Sequence, residues 1–164
     1  MTNTNDFTLR LAIAQDTALI LEFIRELAHY ENMSDQVVAT EELLLDTLFT
    51  QKKAEVLIGE YQGNPVSFAL FFHNFSTFLG RPGIYLEDLY VKEEYRGMGF
   101  GKKLLTALAE LAKERDCGRL EWSCLNWNTP SIGFYKSLGS VPMDEWTVYR
   151  LQGESLDRMA EGIH

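Results

Sequence analysis

Glu87-Asp88-Leu89-Tyr90-Val91-Lys92-Glu93-Glu94-Tyr95-Arg96-Gly97-Met98-Gly99-Phe100-Gly101-Lys102 is the stretch from which the rest of the chain can be read. Residues 84–91 are rich in β-branched and aromatic side chains and predict a strand. Gly97, Gly99 and Gly101 then fall at every second position, and glycine alone reaches φ > 0 without steric penalty. From Lys102 onward, Leu104, Leu105, Leu108, Leu111 and Ala112 recur at helical spacing. A strand, a glycine turn and a helix start in that order aim successive backbone N–H groups, and the positive end of the helix, at one point. The spacing predicts an anion cradle built from main chain, with a phosphate or pyrophosphate as its guest. A kinase-type P-loop is excluded, because position 96 is Arg and Lys103 follows Lys102. The dinucleotide fingerprint is excluded as well, because the third glycine comes one residue early. A glycine-rich turn that binds nothing is the plain alternative.

The length of 164 residues fits one domain with room for a buried core. Apolar residues at 46% and charged residues at 24% place it among soluble globular chains. Fifteen Lys and Arg against 24 Asp and Glu give a formal net charge of −9. That balance repels a nucleic-acid backbone and would attract a polycationic small molecule, or serve solubility alone. Cys117 and Cys124 are the only cysteines, and with His29, His73 and His164 scattered no metal site is expected. A reduced, cytoplasmic protein without signal peptide or membrane span is the expectation.

Residues 1–6 read as a loose N-terminus and 7–14 as a first strand. Asp16 is placed to cap a helix whose inner face is Ile20, Phe23, Ile24 and Leu27. Thr40 is placed to cap a second, with Leu44, Leu45, Leu48 and Phe49 inward. Residues 55–61 and 66–74 read as strands joined across Gln62-Gly63-Asn64-Pro65, and Arg81-Pro82-Gly83 as a second turn. The long helix should reach about Arg115 and stop at Asp116-Cys117-Gly118. A short strand at 119–124, a helix from Asn128 to Leu138-Gly139, a last strand within 141–151 and a short helix at 154–160 complete the order. This is a single mixed α/β domain.

Arg96-Gly97-Met98-Gly99-Phe100-Gly101, an Arg-x-x-Gly-x-Gly signature, resembles the pyrophosphate loop of the GNAT superfamily of N-acetyltransferases. Asn128-Thr129-Pro130-Ser131-Ile132-Gly133-Phe134-Tyr135, followed by Leu138-Gly139, resembles the second acetyl-CoA motif of that superfamily. Together they imply a GNAT-type mixed, mostly antiparallel sheet flanked by helices, with acetyl-CoA as donor and no metal. The resemblance implies that the backbone of Leu89, Tyr90 and Val91 binds the acetyl and pantetheine portions. It gives Arg96, Gly97, Met98, Gly99, Phe100, Gly101 and Lys102 the pyrophosphate, and Asn128 and Ser131 further parts of CoA. Tyr135 becomes the general acid for the departing thiolate, a role that suits a phenol of ordinary pKa near 10; read alone, it is a half-buried helix aromatic.

Glu26-Leu27-Ala28-His29-Tyr30-Glu31, Asp35-Gln36-Val37 and Tyr85-Leu86-Glu87-Asp88 further resemble the spermidine/spermine (diamine) acetyltransferases, a branch that includes thialysine acetyltransferases. This implies amine contacts from Tyr30, Glu31, Glu87, Asp88 and Asp144, a catalytic part for Glu87 in taking the ammonium proton, and a homodimer. Around Asp144 the spacing departs from the family. In a regular strand Glu87 and Asp88 face opposite sides, so they form a pair only if a bulge intervenes. Asp88 is open between substrate contact and structural hydrogen bonding. Trp122, Trp127 and Trp146 read as core or interface. Thialysine or another small amine, or CoA binding without catalysis, are the competing readings.

Overall fold

The computed structural model describes residues 6–163, so all of the expected loose N-terminus except Asp6 lies outside the described residues. The chain divides into two compact units, Met1–Ser123 and Cys124–His164. In the first, β1 (Phe7–Leu11), β2 (Glu55–Tyr61), β3 (Asn64–Ser76), β4 (Arg81–Val91) and β5 (Leu120–Trp122) form one sheet in that order. The first four strands are antiparallel neighbours and β5 joins β4 in parallel, so the sheet is mixed and mostly antiparallel, as expected. Gln62 and Gly63 both have positive φ, 51° and 80°, which is the tight turn that closes the β2–β3 hairpin.

Helix α1 (Thr17–Tyr30) buries Ile20, Leu21 and Phe23 against Val56, Ile58, Phe68 and Tyr90. The Phe23 and Phe68 rings stack at 5.2 Å. Leu44 and Leu48 join this core from α2 (Glu41–Leu44) and the π-helical turn Leu45–Thr50 that continues it. Thr40 caps α2 as expected, its hydroxyl accepting from the Leu43 N–H at 3.2 Å. Leu45 is exposed rather than inward, because the wider π turn rotates the apolar stripe away from regular α-helical spacing. Helix α3 (Phe100–Glu114) buries Leu104, Leu105, Leu108 and Ala112. At its start Phe100 stacks on Phe7 at 4.1 Å and packs on Tyr61 and Val66. Phe7 pairs with Tyr61, on the sheet face opposite the one that carries Ile58. Helices therefore flank both faces.

Three further expectations change. Asp16 stands before α1 but does not cap it; its carboxylate takes Arg10 through two bonds of 2.7 and 2.8 Å and the Ile13 N–H at 2.8 Å. Arg10 also holds Glu60, which fastens the entry of α1 to β1 and β2. Arg81-Pro82-Gly83 is strand and not turn: β3 and β4 are longer than read, and the reversal falls earlier, at Thr77–Gly80. In the second unit, α4 (Thr129–Ser137) and α5 (Gly153–Ala160) form, but no strand forms within 141–151. That segment is exposed throughout, so no neighbour enforces its β propensity. Trp122 is half-buried and Trp127 and Trp146 are exposed, which leaves the interface half of their reading rather than the core half for the exposed pair.

Phe100 closes the glycine loop with a side chain that is 1% exposed. Phe100→Ala should cost about 3–5 kcal/mol of stability by leaving a cavity beneath the loop, read as a lowered urea midpoint at unchanged m-value.

Candidate active site

The glycine loop does what its spacing demands at two of its three glycines. Gly97 and Gly99 have φ of 80° and 84°, and nothing lies within 4 Å of where a Cβ would stand on either, so the main chain there is open. Gly101 does not share the positive φ; it lies inside α3, and a Cβ would meet only Val91 Cγ2 at 3.9 Å. That is ordinary contact, so neither backbone conformation nor space requires glycine at position 101. Gly99 is the N-cap of α3 and accepts from the Lys103 N–H at 3.1 Å, so the N–H groups before Lys103 have no acceptor in the helix. Phe100 points into the core, which leaves its main chain alone for a ligand. Arg96 donates Nε–H to the Val91 carbonyl at 2.9 Å. These features fit an anion such as a pyrophosphate.

Immediately before the loop, β4 leaves its parallel neighbour. Pairing with β5 covers only Ile84, Leu86 and the Tyr85 between them, opposite Leu120, Trp122 and Glu121. From Glu87 to Val91, β4 keeps β3 on one side and has no strand on the other among the described residues. Apart from the Val91 carbonyl, which Arg96 occupies, main-chain groups of residues 89–91 on that edge face no strand among the described residues and suit an extended ligand.

The bulge that the carboxylates require is present. Leu70 pairs with Asp88 and Phe71 with Leu86, so Glu87 is an extra, unpaired residue in β4. Across the irregularity the faces exchange: Asp88 shares the α1 face with Tyr90, Leu70 and Phe68, and Leu86 goes to the opposite face. Burial, then the charges of Glu87 and Glu31, push the Asp88 carboxyl up to about 7. Burial also raises Glu31, at the C-terminal end of α1. Among the described residues, none of these three carboxylates has an ion pair or side-chain hydrogen bond. Tyr30, the last residue of α1, holds its ring against Arg96.

A groove of about 680 Å³ runs between α1 and the end of β4, lined in part by Glu22, Glu26, Tyr90, Lys92 and Glu94. Its walls are joined by Lys92, whose Nζ lies 3.4 Å from Glu22 and 3.6 Å from Glu26. It is not lined by Glu31, Glu87 or Asp88, so this groove and the acidic cluster are different places.

In the second unit, Asn128 is buried and its Oδ1 accepts from the Ser131 N–H at 3.4 Å, which starts α4 with Pro130 in its first turn. Tyr135 is half-buried two turns in, and its carbonyl accepts from the Ser140 hydroxyl at 2.6 Å. Asp144 is exposed. Among the described residues no group of His, Cys, Asp and Glu could hold a metal, and no helix is long and apolar enough to cross a membrane.

Comparison with known proteins decides the family. The model of the acetyltransferase (GNAT) family matches residues 21–139, which is most of the chain and includes both motifs. The chain belongs to the GNAT family. It is 40% identical to a bovine (Bos taurus) thialysine N-epsilon-acetyltransferase, over 93% of this chain and 96% of that one. It is 33% identical to human (Homo sapiens) spermidine/spermine N(1)-acetyltransferase-like protein 1, over 97% of this chain and 24% of that one. An integron cassette protein from the mobile metagenome of V. cholerae has the same fold, with a TM-score of 0.78, 26% identity, and 95% and 98% of the two chains covered. As a GNAT protein the chain is an N-acetyltransferase that uses acetyl-CoA.

Two site features escape the sequence. The bulge leaves no mark in composition, and only the exchange of buried faces between Leu86 and Tyr90 signals it. The contact of Arg96 with Tyr30 joins residues 66 positions apart and has no local signature. Asp88 yields a stability test. Its native pKa lies above the unfolded value of about 4, so native protein holds the proton longer and stability falls as pH rises from about 4 to 7. Asp88→Asn removes this loss. Relative to the parent, the variant should gain up to roughly 4 kcal/mol between pH 4 and pH 8, measured by urea unfolding at both values; a pH-independent difference would contradict the assignment.

Proposed function

We propose that this GNAT protein transfers the acetyl group of acetyl-CoA to a primary amine of a polyamine or diamine, directly and within a ternary complex. The observation that carries the acceptor class is the trio Glu31, Glu87 and Asp88, which share one region of the first unit and have no ion pair among the described residues. Carboxylates in this state are completed by a cationic ligand, and an ammonium entering beside Asp88 would return its pKa toward the ordinary range. Among the described residues Asp88 has no side-chain hydrogen bond, which favours substrate contact over a structural role. Tyr30 adds an aromatic face beside Glu31, and Asp144 serves a second ammonium of a longer amine.

Glu87 assists removal of the ammonium proton. The freed amine nitrogen attacks the thioester carbonyl carbon, whose oxygen is held by a main-chain N–H of Leu89, Tyr90 or Val91. The C–S bond breaks as the N–C bond forms, and Tyr135 gives its phenolic proton to the departing thiolate. Residues 96–102 hold the pyrophosphate, and Asn128 and Ser131 hold further parts of CoA. Because the buried Asn128 side chain is occupied in starting α4, it acts mainly by fixing the helix that carries Tyr135. The family match from residue 21 to 139 supports one acetyltransferase domain spanning both units. A homodimer would cover the exposed apolar chain of the second unit, where Trp146 is 77% and Tyr149 92% exposed. The small number of cysteines, Cys117 and Cys124 alone, accords with a reduced, cytoplasmic protein.

Acetylation of thialysine is the second reading, favoured by the 40% identity to the bovine enzyme of that name. CoA release measured across putrescine, spermidine, spermine, thialysine, lysine and an aminoglycoside separates the two. A higher kcat/KM for spermidine, spermine or putrescine establishes the first, and a preference for thialysine replaces it with the second. Tight acetyl-CoA binding without turnover of any amine would overturn both.

Tyr135→Phe should lower kcat by about 10²-fold or more while acetyl-CoA affinity stays near that of the parent. Near-normal turnover would remove Tyr135 from the mechanism.

A further inference from the structure

Arg96, assigned above to the cofactor, and Tyr30, assigned to the acceptor, are in contact. The guanidinium carbon of Arg96 lies 4.7 Å from the centroid of the Tyr30 ring and 5.5 Å from that of Tyr90. Its Nε–H is fixed on the Val91 carbonyl at 2.9 Å. Tyr90 is a buried residue of β4 and forms a fixed wall, whereas Tyr30 ends α1 and is 37% exposed. A planar guanidinium with one N–H bonded and its face on aromatic rings keeps little freedom to turn. Its Nη groups make no hydrogen bond or ion pair among the described residues. They are the atoms with which arginine forks a phosphate. The same two segments are tied again by Lys92, which reaches Glu22 and Glu26 of α1.

We propose that Tyr30 is a positioning residue for acetyl-CoA: its ring holds the Arg96 guanidinium ready for the pyrophosphate, and thereby links the Tyr30-Glu31 end of α1 to occupancy of the cofactor loop. This rests on the assignment of residues 96–102 to the pyrophosphate, and gives Tyr30 a duty that precedes any contact with the amine. When phosphate fixes Arg96, the guanidinium restrains Tyr30, and Glu31 is held near Asp88, whose carboxyl already feels its charge. Linkage is reciprocal, so an amine that settles against Glu31 tightens acetyl-CoA by the same factor.

The test is acetyl-CoA binding by calorimetry on the intact protein with no amine present, for the parent, Tyr30→Phe, Tyr30→Leu, Arg96→Gln and the Tyr30→Leu/Arg96→Gln double variant. Tyr30→Leu should weaken acetyl-CoA about three- to fivefold, and Tyr30→Phe, which keeps the aromatic face, should recover most of that loss. Arg96→Gln should weaken binding about tenfold or more, and in that background Tyr30→Leu should add nothing. Thermal unfolding of each variant confirms that the fold is intact. If Arg96→Gln weakens binding but Tyr30→Leu is silent, adds independently, or is not recovered by Tyr30→Phe, the positioning role is wrong and the loop assignment survives. If Arg96→Gln binds acetyl-CoA like the parent, the loop assignment and the inference fall together.

Discussion

One extra residue in β4 sets the chemistry of the first unit. A strand that alternates without interruption puts Leu86, Asp88 and Tyr90 on one face. With Glu87 left out of the ladder, Leu86 can be buried on one face while Tyr90 packs on Phe23 on the other. Asp88 then comes to the α1 face, under the charges of Glu87 and Glu31, with its carboxyl pushed up to about 7. Closing the bulge would return Asp88 to the side of Leu86 and dissolve the cluster. An isolated half-buried carboxylate costs stability, and the well-packed β3–β4 pairing on either side of the bulge is what enforces the arrangement.

The loop after β4 obeys a complementary rule, in which the main chain stays open and the side chains anchor. Phe100 is stacked on Phe7, and Met98 and Tyr95 pack on the cluster of Tyr61 and Val66. These apolar contacts fix a segment that contains two left-handed glycines and would otherwise sample many conformations. Backbone N–H groups are short, cannot rotate away and carry no rotamer entropy, so a loop held in this way presents them to an anion already oriented. The parting of β4 from β5 after Leu86 extends the same logic along the strand.

The features legible in the sequence are those set by local chemistry. Helix periodicity locates α1 and α3, Thr40 caps where a cap is expected, and the glycine spacing gives the turn into α3. The mostly antiparallel sheet and the GNAT family follow from motif order and stand in the structure and the comparisons. Features that depend on distant partners were not legible. Asp16 has cap-like chemistry, but Arg10 across a short loop competes for the carboxylate with two charge-assisted bonds and wins it. Residues 141–151 have the composition of a strand and no partner within the described chain, and composition alone does not make a ladder. The bulge at Glu87 is a matter of register, which the neighbouring strand sets.

The distribution of cations completes the electrostatic argument. Lys92 and Arg96 are the positive side chains nearest the end of β4 in sequence, and both are engaged elsewhere, Lys92 by Glu22 and Glu26, Arg96 by the Val91 carbonyl and two tyrosine rings. Neither is directed at Asp88, and no positive group contributes to its shift. A protein selected only for stability would gain by turning one of these cations toward the trio, since an opposite charge a few ångströms away relieves a half-buried carboxylate. The two cations instead brace α1 against the glycine loop and leave the negative field of the trio uncancelled. On the acceptor reading proposed above, a cationic substrate supplies the missing charge, and the energy withheld from folding becomes energy of recognition.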